Sequence, residues 1–391
     1  MYREKKIYFK IFNLFLIIII LLFIFNYNAI NEQSIQIKKD IYLIEKYKLL
    51  CNKEILINKK RFKSVNIPKI SIIAAVNNRD KYILRFLRSI QNQNFEEIEI
   101  IFVDDYSNDN SVQFIQKYQK EDERIILIKN NKNKGTLISR NLGAIISKGK
   151  YLIFPDPDDI LSNDILYYCY KKAINENLDI IRFELYEGNK YVYKSINLLK
   201  DQIIYQPKLS SEIFYEKGYL MQTDYSISNK FIVRTIYIKT LNSINNYYLN
   251  KNMVVYEDGL INFMLYKTAN SLYHSKKIGY YYIQNNNSIT INFQKNIERH
   301  IYNCYIYLKF IFENTNNKKR EKDKAFCIYN NVNKEISNLL HYQNLTQKFS
   351  FYLEINNLYL SSEFISSKDK ETIKYINSLI KKAELNNNIN T

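Results

Sequence analysis

Gly149-Lys-Tyr-Leu-Ile-Phe-Pro-Asp-Pro-Asp-Asp159 decides how the rest of the chain is read. Tyr151 to Phe154 is a short apolar run bounded by Gly149 and Pro155, the pattern of a buried strand. Asp156, Asp158 and Asp159 follow at once. A buried strand that ends in carboxylates sets them at the carboxyl edge of a sheet, where open α/β folds bind ligands. Pro157 restricts Asp156 to extended backbone and so holds the first two carboxylates in a fixed spread. Like charges packed this closely repel, and a divalent cation with oxygen ligands would relieve them. The other reading is an acidic turn that caps a helix from Ile160 onward, with Asp159 or Ser162 as the cap.

Upstream, the same grammar repeats. Lys69 to Val76 reads as a buried strand, followed by Asn77-Asn-Arg-Asp80, with Asp80 as N-cap of a helix whose inner face is Ile83, Leu84, Leu87 and Ile90. Ile98 to Val103 is a second strand, running into Asp104-Asp105 and then a helix through Tyr118. Arg124 to Lys129 is a third, ahead of a helix over Thr136 to Ser147 that carries Arg140 and Asn141. Strands alternating with helices at this spacing predict a parallel sheet of βαβ units, with every polar cluster gathered on one edge. Beyond Asp159 the pattern loosens. Asp179–Leu185, Tyr191–Lys194 and Ile278–Ile283 read as strands and Glu212–Leu220 as a helix. Glu257 and Asp258 precede a helix with Ile261, Leu265 and Tyr266 inward, and long helical patterns run from Ile297.

The chain has 391 residues and a net charge of +18, with 46% hydrophobic residues. Its lysines are scattered, and no zinc knuckle, helix-turn-helix or Arg-rich arm accompanies them, so nucleic acid is not the expected partner. A generally basic surface suits anionic headgroups or a phosphate-bearing substrate. Neither the 4 cysteines nor the 3 histidines show metal or disulfide spacing. Ile7 to Phe25 is largely apolar and as a helix covers roughly 28 Å, about one bilayer core. Arg3, Lys5 and Lys6 precede it, which predicts a cytoplasmic N-terminus, and its exit lacks a small-x-small cleavage pattern.

The motifs, taken together, resemble glycosyltransferase family 2. Ser71-Ile-Ile-Ala-Ala-Val76 with its helix resembles the family's opening, and Glu97 to Ser111 its nucleotide-binding strand and loop. Asn133 to Asp159 resembles its Asn-x-Gly, Arg-Asn-x-Gly and DxD run, Tyr256 to Tyr266 its acidic motif, and Tyr280 to Thr290 the segment that closes the site. The fold so implied is the α/β GT-A type: a mostly parallel, Rossmann-like sheet flanked by helices, with an N-terminal transmembrane helix and a C-terminal helical extension. The expected division is a cytoplasmic tail and signal-anchor over 1–30, a stem over 31–67, and a catalytic domain over 68–290. That domain comprises a nucleotide-sugar half, 68–165, and an acceptor half, 166–290, and a helical region fills 291–391.

The resemblance implies transfer of a hexosyl or N-acetylhexosaminyl group from a nucleoside diphosphate sugar to a hydroxyl on a glycan, lipid or protein. Val76, Asn77, Asp104, Asp105, Arg140 and Asp156 would meet the donor. Asp158, with Asp156, would hold Mg²⁺ or Mn²⁺ against the phosphates. Asp258 would act as general base with Glu257 beside it, and attack opposite the nucleotide would invert the anomeric centre. A single-pass type II protein with its body in the Golgi or ER lumen follows, and Asn286 and Asn344 then open candidate glycosylation sequons. Pro157 and Pro155 depart from the usual residues around the DxD, and Asn78-Arg79 from the usual pair after the first strand. The alternative function is a membrane-anchored glycan-binding or scaffold relative with a decayed site.

Overall fold

The computed structural model describes residues 67–187, 190–191, 201–206, 209, 226–253, 255–283 and 297–315. The N-terminal anchor, nearly all of the stem, the helix expected over Glu212–Leu220, both sequons, the segment from 284 to 290 and everything beyond 315 lie outside the described residues. Among those described, no helix is long and apolar enough to cross a membrane. The chain divides into two compact units. Apart from Glu187 to Tyr191, which fall in the other unit, the elements below belong to Lys60–Tyr186 with Val192–Thr391.

The first half alternates as its apolar pattern dictates: β1 (Ile70–Val76), α1 (Asp80–Gln91), β2 (Ile98–Asp104), α2 (Ser111–Gln119), β3 (Ile125–Lys129), α3 (Thr136–Ile146) and β4 (Tyr151–Ile153). The second half is less regular. It runs β5 (Ile160–Leu161), α4 (Ile165–Glu176), β6 (Ile180–Glu187), β7 (Lys190–Tyr191), β8 (Gln202–Tyr205) and β9 (Lys230–Val233). It then continues through α5 (Arg234–Ser243), α6 (Asn246–Leu249), α7 (Glu257–Thr268), β10 (Ser271–Tyr282) and α8 (Ile297–Glu313).

The strand order is β3-β2-β1-β4-β9-β6-β10-β5, with β8 on β10. Pairing is parallel from β3 through β4, where each strand is returned to the same end by a helix. Past β4 it is antiparallel: β9 on β4 and β6, and β10 on β5 and β8. The sheet is therefore mixed rather than mostly parallel.

Both faces of the sheet are covered, which is why β1 and β2 are apolar almost throughout. Ile72, Ala74, Ile100 and Phe102 face a core shared with Phe86 and Leu87 of α1 and Leu166 of α4. Ile73, Ile101 and Val103 point the other way, into a core with Leu260 and Leu265 of α7 and Ile306 and Phe310 of α8. Gly143 lets α3 seat closely on β1, since a Cβ there would lie 2.4 Å from Ile73 Cγ2.

Two helix starts differ from expectation. Asp80 is the first residue of α1 rather than its cap, so it acts on the helix dipole. No helix begins at Ile160: Asp159 is buried, accepting 2.6 Å from Tyr280 Oη and 2.8 Å from Ile283 N, and α4 starts only at Ile165. A carboxylate with a phenol and an amide to hold is drawn to β10 instead of to a helix end.

Candidate active site

The carboxyl ends of β1, β2 and β4 open on a cavity of about 480 Å³. β1 and β2 stop in register here, Val76 beside Asp104, whereas β4 ends at Ile153 opposite Ile72 and the segment after it runs forward to join their polar ends. Val76, Asn77, Asp105, Arg140, Asp156, Asp158, Glu257 and Asp258 all line the cavity. Eight of the nine residues expected from the sequence thus meet in one place. Asp104 does not. It is buried at the end of β2, one carboxylate oxygen accepting 3.3 Å from Ser107 N and the other without a hydrogen-bond partner among the described residues.

Arg140 lies at the centre. It projects from the middle of α3, 4% exposed, and its fork spreads between two carboxylates far apart in sequence: Nη1 donates to Asp258 Oδ1 at 2.5 Å, and Nη2 to Asp156 Oδ1 at 2.6 Å. The guanidinium expected to meet a phosphate or sugar oxygen is thus committed to protein carboxylates. Burial opposes its charge, but Asp258, Asp156 and Glu257 outweigh it and hold its pKa above the ordinary value. Asp258 Oδ2 accepts a second bond from Ile227 N at 3.1 Å, and Asp156 Oδ2 accepts from Ser228 Oγ at 3.3 Å.

The acidic pair at the start of α7 feels the opposite balance. Burial pushes the Glu257 carboxyl up to about 8, helped by Asp258, while Arg140 pulls it down. Burial also raises the Asp258 pKa, against Arg140 and the buried ammonium of Lys230. Tyr256, immediately before the pair, takes a left-handed φ of 62° that turns the chain into the helix, and its ring stacks on Tyr307 at 5.0 Å.

Asp158 sits across the cavity. Its carboxylate lies 3.4 Å from Arg79 Nε, and its backbone oxygen accepts from Arg85 Nη2. Asp105 shapes the loop after β3. Its carboxylate takes Lys134 N at 2.8 Å, Gly135 N at 2.7 Å and Asn130 Nδ2 at 2.8 Å, which leaves Gly135 at φ 94°. A side chain on Gly135 would strike Asn252 Oδ1 at 2.4 Å, so the loop and the chain before α7 are in close contact.

Arg79, Asn252 and Arg299 also line the cavity and were not among the expected site residues, while Tyr282, which lines it too, falls in the segment expected to close the site. Arg79 was visible only as a departure from a motif. Arg299 lies outside every motif and reaches the cavity because α8 packs on α7, where Phe263 and Phe310 meet edge-on. Among the described residues no three His, Cys, Asp or Glu side chains converge as a metal cluster.

A family model for Glycosyl transferase family 2 matches residues 71–233. The chain is 32% identical over 264 residues to the GalNAc(5)-diNAcBac-PP-undecaprenol beta-1,3-glucosyltransferase of Campylobacter jejuni, covering 67% of this chain and 80% of that protein. It is 25% identical over 244 residues to the uncharacterized glycosyltransferase EpsJ of Bacillus subtilis, covering 61% and 68%. A crystal structure of S. aureus TarS 1-349 in complex with UDP-GlcNAc superimposes with a TM-score of 0.56 at 18% identity, covering 81% of this chain and 89% of that one. A GT-A-like mixed sheet, a cavity at its carboxyl edge and this extent of similarity agree: the chain belongs to glycosyltransferase family 2 and is a glycosyltransferase.

Proposed function

We propose that the chain moves a hexosyl or N-acetylhexosaminyl group from a nucleoside diphosphate sugar to an acceptor hydroxyl, with inversion at the anomeric carbon. The observation that carries this is the Arg140 fork, which brings Asp156 of the donor-side loop and Asp258 of α7 onto one guanidinium within a single cavity. The UDP-GlcNAc held by TarS makes uridine diphosphate sugars the first donors to test.

In this reading Asp258 takes the proton from the acceptor hydroxyl as that oxygen attacks the anomeric carbon. Arg140 favours the ionised carboxylate despite burial, so the base carries its lone pair to the reaction. Glu257, held up to about 8 by burial, is largely protonated at neutral pH and can donate to an acceptor oxygen. Asp158 and Asp156 supply only oxygen donors, which suits Mg²⁺ or Mn²⁺ with substrate oxygens completing the shell. When bound, such an ion neutralises the diphosphate as a Lewis acid.

The full chain in detergent, offered a panel of nucleoside diphosphate sugars, should release nucleotide from at least one in a divalent-dependent way. Silence across the panel would favour the decayed, glycan-binding alternative. The apolar run near the N-terminus further supports a single-pass anchor with the body on the non-cytoplasmic side. Digestion of the body in sealed vesicles without detergent would refute that topology.

A further inference from the structure

On the α6 and α8 side, the rim of the cavity carries three cations that no carboxylate among the described residues neutralises. Lys251 Nζ lies 4.2 Å from the Tyr247 ring centroid and 6.0 Å from that of Tyr302, and donates to Tyr302 Oη at 3.4 Å. Lys309 Nζ approaches the same Tyr247 ring at 5.9 Å. Arg299 donates to Asn252 O at 3.2 Å and to Asn252 Oδ1 at 2.7 Å, both neutral acceptors. Lys277, by contrast, is neutralised by Asp164 at 2.6 Å.

The patch is continuous with the reaction centre, because Arg299 and Asn252 line the cavity together with Asp258. It lies with α7, on the side of the proposed base, whereas Arg79 and Asp158 mark the donor side. Tyr247 and Tyr302 are 45% and 38% exposed, so the rings form an open platform. They also keep Lys251 charged. Burial works to lower its pKa, but hydrogen bonds to Tyr302 and Tyr247 outweigh it and raise it.

Crowded like charges repel, and an anion placed among them removes that cost. Arg299 holds Asn252, Lys251 precedes it, and Lys251 and Lys309 share the Tyr247 ring, so the three cations follow one another along the rim and suit the successive phosphates of a phosphodiester chain, whose oxygens accept in more directions than a planar carboxylate can. We propose that this rim binds phosphate on the acceptor, so that the acceptor is a glycan or polyol chain with a phosphodiester close to the hydroxyl that receives the sugar. The proposal rests on reading the cavity as the site of sugar transfer.

The test uses the full chain in detergent micelles and a fluorescent glycerol phosphate hexamer. Wild type should bind the hexamer and weaken as salt is raised. Lys251→Gln/Lys309→Gln should lose on the order of tenfold or more in affinity, and Lys309→Gln alone a smaller part. Lys251→Arg, which keeps the charge, should retain binding. The exposed pair Lys117 on α2 and Lys120 just after it provides the control: Lys117→Gln/Lys120→Gln should leave affinity unchanged. An equal loss from that control would reduce the effect to net charge and overturn the proposal. Equal binding of a galacturonate hexamer would overturn it too, as would binding to phosphatidylglycerol vesicles with none to the hexamer. Full hexamer binding without turnover of any nucleotide sugar would defeat the transfer reading and leave the phosphate site standing.

Discussion

Replacing Arg140 by methionine removes the charge while keeping most of the volume, and leaves three carboxyl groups facing one another. Breaking a buried ion pair typically costs about 3–5 kcal/mol, because the orphaned charge stays behind. The two partners here are part-exposed, Asp156 at 37% and Asp258 at 21%, so water screens them and about 2–3 kcal/mol is expected near pH 8. The pH dependence identifies the cause. Burial raises the pKa values of Glu257 and Asp258, with Glu257 at about 8 against an ordinary 4.5, so the folded state holds protons that the unfolded chain has released. Stability from such groups falls as pH rises from the unfolded value through the folded one. Arg140 opposes both shifts, and without it they grow. Arg140→Met should therefore lose about 2–3 kcal/mol at pH 8 and less at pH 5, where Glu257 is protonated and the negative charge left facing the cavity is smaller. The chain has no tryptophan, so urea unfolding is best followed by far-ultraviolet circular dichroism. A penalty that is the same at both pH values would refute the reasoning, and so would a variant as stable as wild type at pH 8.

Three further perturbations separate the roles in the site. Asp258→Asn keeps the side chain's shape and one of its two acceptor contacts, to Arg140 or to Ile227, but cannot take a proton, so turnover should fall by about 10²- to 10⁴-fold with donor affinity nearly unchanged; calorimetric donor binding beside steady-state rates decides it. Asp158→Asn should abolish divalent-dependent donor binding and Asp156→Asn should weaken it less, and full turnover of wild type in chelator would end the metal reading. Gly135→Ala places a Cβ 2.4 Å from Asn252 Oδ1 at φ 94° and should cost about 1–3 kcal/mol of stability, part of which Asn252→Ala restores.

The sequence made the parallel half of the sheet legible because each strand there is buried on both faces, so continuous apolar runs end abruptly in polar clusters. Asp156, Asp158 and Asp258 could be found for the same reason: carboxylates at strand or helix ends have few structural uses in such numbers. The antiparallel half was harder. β8 is only Gln202–Tyr205, and β10 begins at Ser271 with histidine, serine and lysines in its middle, so its true length was hidden. Lys230 was missed because its ammonium is satisfied inside the protein, by Ser226 O and by Asn229 Oδ1 at 3.4 Å, a partnership visible only once the chain is folded. Asp159 looked like a helix cap because Tyr280, its partner, lies in a strand on the far side of the chain.

The packing of α8 on α7 sets a lower limit on what can be produced as an active fragment. The family match ends at residue 233, yet Asn252, Glu257, Asp258, Tyr282 and Arg299 all lie beyond it and line the cavity. Ile306, Tyr307, Leu308, Phe310 and Ile311 are each 0% exposed in the core they share with Leu260 and Leu265. At about 1.5–3 kcal/mol for each buried apolar side chain, removing these five forfeits on the order of 10 kcal/mol, comparable with the whole stability of a typical domain. A polypeptide trimmed to the family boundary, or to residue 290, would therefore lose one wall of its cavity and expose the apolar face of α7, and would be recovered as aggregate rather than enzyme. Expression trials that keep the chain through residue 315 retain both.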